Sequence, residues 1–333
     1  MERKEFEQAL SAGTLPSVLL FEGEEEAFKK AALSALRRAI LPPGMEEMNE
    51  TILEAPETDQ IIAASETLPF LADRRLIIVR DLPALTGRGE ADEKLLAYLP
   101  SVPSSSLIVF DCAGKPDGRK KLYAAIKKLG GIVTFNRLRG AELTRFVTDA
   151  FREEGKECDQ RTAEYLVFTV GPDAGLLRNE ISKIAAYAAN RPAVLAEDIT
   201  ALATPSTEST VFQMVDAVVS GQSKRAFLLV RNQLLNGEGP AGMLAMLLRQ
   251  YRLLQHVKIM QFEKRSRDEI REALGLSPYV VDQYLRQASA YTGGQIRKAV
   301  SLCLDTEYAF KSGRIAQDSA LDALLIRLLA LRR

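Results

Sequence analysis

One histidine, His256, is all that 333 residues contain. Its isolation excludes HExxH zinc sites, and any Ser-His or Cys-His mechanism would have to use that one residue. Cysteine is scarce as well. Cys112, Cys158 and Cys303 are far apart and odd in number, which is no disulfide framework. The start carries no secretory signal, so a cytoplasmic location is expected. No apolar run is long enough to span a bilayer, so no membrane role is expected. Net charge is missing too, with 44 Lys+Arg against 44 Asp+Glu. A protein that coats nucleic acid or anionic membrane by bulk charge alone is not built this way. What remains is ordinary for a globular chain. Hydrophobic residues are 47% and charged residues 26%, which excludes the disordered and membrane classes. The length fits two or three domains with cores that need no metal or disulfide staples.

The charge is neutral in sum but not in distribution. Residues 1–140 carry 19 Lys+Arg against 21 Asp+Glu, residues 141–205 carry 7 against 11, and residues 206–333 carry 18 against 12. The first stretch alternates apolar runs with helical periodicity. Ser17–Phe21, Leu76–Val79, Ser106–Phe110 and Ile132–Phe135 read as strands. Ala27–Ile40 and the Lys-rich Arg119–Leu129 read as helices, the second stopped by Gly130-Gly131. Continuous apolar strands between helices predict a parallel sheet covered on both faces. After Gly140 the periodicity is helical: 141–154, 159–170, 174–189, 196–204, 211–220, 224–236, 240–262, 268–274, 278–289, 294–312 and 319–331. The polar stretch Thr204–Ser209 is the best linker candidate.

Several places have the outline of chemistry. The turn after the first strand, Phe21-Glu22-Gly23-Glu24-Glu25-Glu26, lies where a phosphate-binding loop would lie. It has one Gly, no Lys and four acidic residues, so a capped helix start is the better reading. Leu107-Ile108-Val109-Phe110-Asp111 resembles a Walker B strand ending in a Mg²⁺-binding Asp, but Cys112 stands where a second acid would serve as base. Thr67-Leu68-Pro69-Phe70-Leu71-Ala72-Asp73-Arg74-Arg75 precedes a strand, and its Pro puts Phe70 and Leu71 on a turn. An isolated apolar pair usually tucks into the local core. The functional alternative is an exposed plug for a partner's pocket. Lys115, Arg119, Lys120, Lys121, Lys127 and Lys128 form a basic segment that reads as a solvated face. His256 reads as a packed or edge histidine, and Cys303 as core.

The order of segments resembles the delta subunit family of the bacterial DNA polymerase III clamp loader. The resemblance includes Pro69–Leu76, Lys115–Tyr123, Val170–Asp173 and Leu177–Ile184. It is densest in Val211–Ala217, Arg249–Leu254, Leu274–Tyr279 and Phe310–Gly313. Each piece is weakly specific alone, and their order and spacing together carry the likeness.

That resemblance implies an AAA+-like fold in three parts. Residues 1–140 would form an α/β domain with a parallel sheet and flanking helices, 141–205 a small helical lid, and 206–333 a helical collar. It also implies a function. The chain would bind and open the beta sliding clamp for loading at primer–template DNA, within a hetero-pentamer of delta prime and gamma/tau subunits, as part of the DNA polymerase III holoenzyme. The clamp-binding element maps to Phe70 and Leu71, flanked by Leu68 and Pro69. Gly23 and Asp111 mark a degenerate nucleotide site not expected to bind. No cofactor or metal is implied for this chain, since neighbouring subunits hold ATP and Mg²⁺. Two alternatives stand beside it: a catalytic AAA+ ATPase or helicase-loader-like protein with an unusual nucleotide site, and a helical nucleic-acid-binding module acting through residues 206–333.

Overall fold

Where a strand is covered on both faces it has no solvent side to mark with polar residues, so it appears in sequence as an unbroken apolar run. The computed structural model describes residues 1–86, 89–90 and 92–331. They form two compact units, Met1–Arg137 and Leu138–Arg333.

The first unit is built on five strands: β1 (Val18–Glu22), β2 (Glu50–Glu54), β3 (Arg75–Arg80), β4 (Ser106–Asp111) and β5 (Ile132–Thr134). Four of them are the four runs expected. Every pairing is parallel, in the order β2-β3-β4-β1-β5. The fifth strand, β2, is not an apolar run. It lies at the sheet edge, pairs only with β3, and is half-exposed along its length. The flanking helices are α1 (Arg3–Ser11), α2 (Glu26–Ile40), α3 (Glu46–Asn49), α4 (Thr58–Glu66), α5 (Glu93–Tyr98) and α6 (Lys121–Lys128).

Alternate residues of each strand point to opposite faces, and the two faces have separate cores. Leu20, Ile77, Val79, Ile108 and Phe110 pack with Ile61, Leu95, Leu122 and Ile126 of α4, α5 and α6. Leu19, Phe21, Leu76, Ile78 and Val109 pack with Phe6 of α1 and Leu33 and Leu36 of α2. The rings of Phe6, Phe21 and Phe135 meet edge to face at 5.0–6.4 Å, the geometry that aromatic quadrupoles favour. Gly131 is fixed by crowding between α6 and β5, because a Cβ there would lie 2.0 Å from the Val18 carbonyl oxygen.

The second unit is helical. Its helices are α7 (Ala141–Glu153), α8 (Gln160–Val170), α9 (Ala174–Ala188), α10 (Ala196–Leu202), α11 (Thr207–Val219), α12 (Ser223–Leu235), α13 (Pro240–Phe262), α14 (Arg267–Leu274), α15 (Pro278–Ser289), α16 (Gly293–Lys311) and α17 (Gln317–Ala330). They hold two apolar clusters. One is drawn from residues 143–199 and the other from residues 211–328, with α13 through its middle.

The linker expected at Thr204–Ser209 is largely a helix start. Ser206 caps α11 by accepting the Ser209 N–H at 3.2 Å, and its own N–H donates to the Thr169 carbonyl at 2.8 Å. Polar residues break an apolar pattern equally well as loop or as N-cap, which is why the two read alike. The clusters are also tied together. The Glu164 carboxylate, buried on α8, accepts the Tyr279 N–H at the start of α15 at 3.0 Å and the Gln160 side-chain amide at 2.9 Å. Phe168 lies 5.1 Å from Phe212 and 5.6 Å from Tyr279, ring to ring. Among the described residues, no helix is long and apolar enough to cross a membrane.

Candidate functional site

Residues 67–74 turn the chain from α4 into β3. Pro69 has no N–H to donate and fixes its own φ, so α4 cannot continue through it. The side chains that follow stand in solvent. Leu68 is 77% exposed, Phe70 50% and Leu71 73%. The local-core alternative for this pair is therefore not what the fold adopts. Leu71 has φ +50°, a left-handed conformation that costs an L-residue about 1–2 kcal/mol.

The backbone around these exposed side chains is pinned. Thr67 Oγ1 donates to the Ala63 carbonyl at 2.8 Å. The buried Asn49 takes both backbone polar groups of Phe70: its Oδ1 accepts the Phe70 N–H at 2.7 Å and its Nδ2 donates to the Phe70 carbonyl at 2.9 Å. Beyond the tip, Arg74 Nε donates to the Ser104 carbonyl at 2.9 Å, and partial burial lowers the Arg74 pKa from its ordinary value. Arg75 donates to the Met48 carbonyl and to Thr51 Oγ1, each at 2.9 Å.

The second candidate region lies at the carboxyl ends of the strands, the usual ligand crevice of an open parallel sheet. Gly23 leaves β1 with φ +115°, and a Cβ there would lie 2.2 Å from the Phe135 carbonyl oxygen, so no other residue fits. Asp111 closes β4, with Arg80 Nε at 3.8 Å. Burial raises its carboxyl pKa against the opposing pull of Lys29. A cavity of about 380 Å³ here is lined by Glu26, Lys29, Glu54, Arg80, Asp81 and Asp111, among others.

The turn Phe21–Glu26 has no lysine, but α2 supplies one just beyond it, Lys29. It stands six residues after Gly23, the register at which a phosphate-binding loop carries its lysine. The signal was in the sequence and was hidden because Phe28 replaces the glycine before it. Lys29 is 1% exposed. Its ammonium donates to the Cys112 carbonyl at 2.8 Å and pairs with Glu26. Its charge is met inside the protein.

The remaining candidates are dispersed. In the basic segment Arg119 pairs with Asp117 and Lys120 reaches the Gly89 carbonyl, while Lys115, Lys121, Lys127 and Lys128 are exposed. His256 is an edge residue on α13, in a groove with Arg249, Arg252 and Glu307. Cys303 is core, and burial pushes its thiol up to about 12, far from a reactive thiolate. Among the described residues, no group of three or more His, Cys, Asp or Glu side chains is arranged to hold a metal ion.

Two family descriptions match this chain in chain order. "DNA polymerase III, delta subunit" covers residues 19–136, and "DNA polymerase III delta subunit, C-terminal domain" covers residues 208–328. The chain belongs to the DNA polymerase III delta subunit family. A Bacillus subtilis DNA polymerase III subunit delta is 25% identical over 97% of this chain and 95% of its own length. A probable DNA polymerase III subunit delta of Aquifex aeolicus is 24% identical over 78% of this chain and 75% of its own. The solved structure of a Bacillus subtilis DNA clamp loader delta protein has the same fold, with TM-score 0.60 and 24% identity over 98% of this chain and 99% of that one. The first delta-family match takes in both candidate regions, from β1 through the exposed turn to β5.

Asn49 is the side chain at this turn that sequence reasoning missed in this delta-family chain. It lies 21 residues before Phe70, and nothing in its own neighbourhood distinguishes a buried, fully used amide from a surface one.

Proposed function

We propose that this clamp loader delta subunit binds the beta sliding clamp through Phe70 and Leu71, with Leu68 and Pro69 beside them, and opens it without hydrolysing ATP. It works in an assembly with delta prime and gamma/tau subunits, which hold the ATP and Mg²⁺. The assembly, rather than this neutral chain alone, engages primer–template DNA. The observation that carries the reading is the turn itself, with large apolar side chains in solvent on a backbone held by Asn49, Arg74 and Arg75.

Opening follows from differential binding. A plug that fits an open or strained clamp interface better than a closed one shifts the clamp toward open by its difference in affinity. Two fully buried apolar side chains supply roughly 3–6 kcal/mol before association costs. The non-hydrolytic half of the reading is supported by Lys29, whose charge is already paired.

The test is titration of beta clamp into the chain and into its Phe70→Ala/Leu71→Ala form. Binding by the parent and a loss of at least about 100-fold in the double variant is expected. Equal affinity of the two would sink the assigned site. ATP turnover by the pure chain, abolished by Asp111→Ala, would overturn the non-hydrolytic reading.

A further inference from the structure

We propose that Asn49 is a positioning residue that preforms the Phe70–Leu71 turn for its partner. The inference rests on the reading of that turn as the clamp contact. Asn49 ends α3 and is fully buried. A side-chain amide offers two N–H donors and a carbonyl acceptor, and both donors and the acceptor are used. Nδ2 donates to the Met45 carbonyl at 3.1 Å and to the Phe70 carbonyl at 2.9 Å, while Oδ1 accepts the Phe70 N–H at 2.7 Å. The amide therefore pairs with one residue at two points, as a neighbouring strand would.

Two physical consequences follow. The first is conformational. Leu71 sits at φ +50°, a state that an untethered segment leaves readily. Anchoring both polar groups of the preceding residue holds that state before the partner arrives, and ordering costs on binding fall accordingly. The second concerns desolvation. An apolar plug entering a pocket carries its own backbone out of water, and an unpaired N–H or carbonyl there is costly. Asn49, itself buried, satisfies both groups of Phe70 from within the protein. The Phe70 ring can then dock without stranding its own N–H or carbonyl.

The residue type is specific. Asp would keep the acceptor for the Phe70 N–H but lose the donors to Met45 and Phe70. Ala would lose every bond.

The test measures clamp affinity and association rate for four full-length chains: parent, Asn49→Ala, Asn49→Asp and Phe70→Ala/Leu71→Ala. A synthetic peptide of residues 66–75 serves as an untethered reference. Hydrogen exchange of the Phe70 amide is followed without clamp, well below the melting temperature. We expect Asn49→Ala to bind about 10-fold or more weakly, approaching the peptide, with most of the loss in association rate because only molecules holding the turn are competent. Its Phe70 amide should lose protection while amides of β3 and β4 keep theirs, which a general loss of stability would not produce. Asn49→Asp keeps the volume and should fall between parent and Asn49→Ala, so the question is answered even if the alanine form folds poorly. Parent-like affinity in both Asn49 variants, with the Phe70 amide unprotected, would overturn the positioning role alone. Parent-like binding by Phe70→Ala/Leu71→Ala would remove the docking reading and this inference with it.

Discussion

The exposed turn at Phe70–Leu71 and the region around Gly23, Lys29 and Asp111 lie in the same sheet-based unit and differ in which of their groups are left without partners. In the turn the Phe70 backbone is engaged by Asn49, while the apolar side chains of Leu68, Phe70 and Leu71 stand in solvent. Around Gly23 and Asp111 the charged side chains are met within the protein, with Lys29 paired to Glu26 and the Cys112 carbonyl, and Arg80 set between Glu54 and Asp111. A docking site needs groups left unsatisfied until a partner comes, whereas a site whose groups satisfy one another has become part of the scaffold. Lys29 and its partners thus belong to the scaffold, whereas the turn leaves large apolar side chains in solvent.

That division can be broken at either end. The largest effect is expected from Lys29→Ala, which strands a buried carbonyl and removes the cation facing Glu26 and Asp111. Stability should fall by about 3 kcal/mol in urea unfolding, with clamp affinity at low temperature unchanged. A clamp defect at full folding would show that the two regions are coupled. Leu71→Gly should do the converse. It relieves the left-handed strain while adding unfolded-state freedom, so stability should stay within about 0.5 kcal/mol of the parent. Clamp affinity should drop about 10-fold or more from the lost side chain. Retained affinity would mean that Leu71 shapes the turn without entering the partner.

The smallest effect concerns Asp111, whose pKa is raised by burial. The folded state then holds its proton more tightly than the unfolded chain does. The carboxyl's contribution is thus favourable below its ordinary value of 3.8 and is lost as pH rises through the folded value. Asp111→Asn should therefore gain a little stability at pH 7, the gain shrinking as pH falls toward 4. A gain independent of pH would point to packing instead of charge. Arg80 keeps Glu54 at 3.1 Å in either case.

Much of the fold was legible because burial on both faces writes itself plainly. β1, β3, β4 and β5 appear as unbroken apolar runs, and α7 to α17 follow helical periodicity. β2 was not legible, since an edge strand such as Glu50-Thr51-Ile52-Leu53-Glu54 needs no apolar run. The site divides along the same line. Pro69 and the Arg pair mark the turn from local sequence alone. The Asn49 pairing with Phe70 does not show, because a side chain 21 residues away becomes a neighbour only after α3 and β2 are placed. Lys29 shows a third case: its spacing was present, but Phe28 masked the motif around it, and only burial reveals where its charge goes.

The Glu164 contact in the helical unit bears on how that unit yields. Bending it between the clusters would take the carboxylate from the Tyr279 N–H and part the ring contacts of Tyr165, Phe168, Phe212 and Tyr279 together. These contacts share one seam, so they fail as a set and not one by one. The seam ties the cluster of residues 143–199 to that of residues 211–328, so a movement of one against the other has to break it.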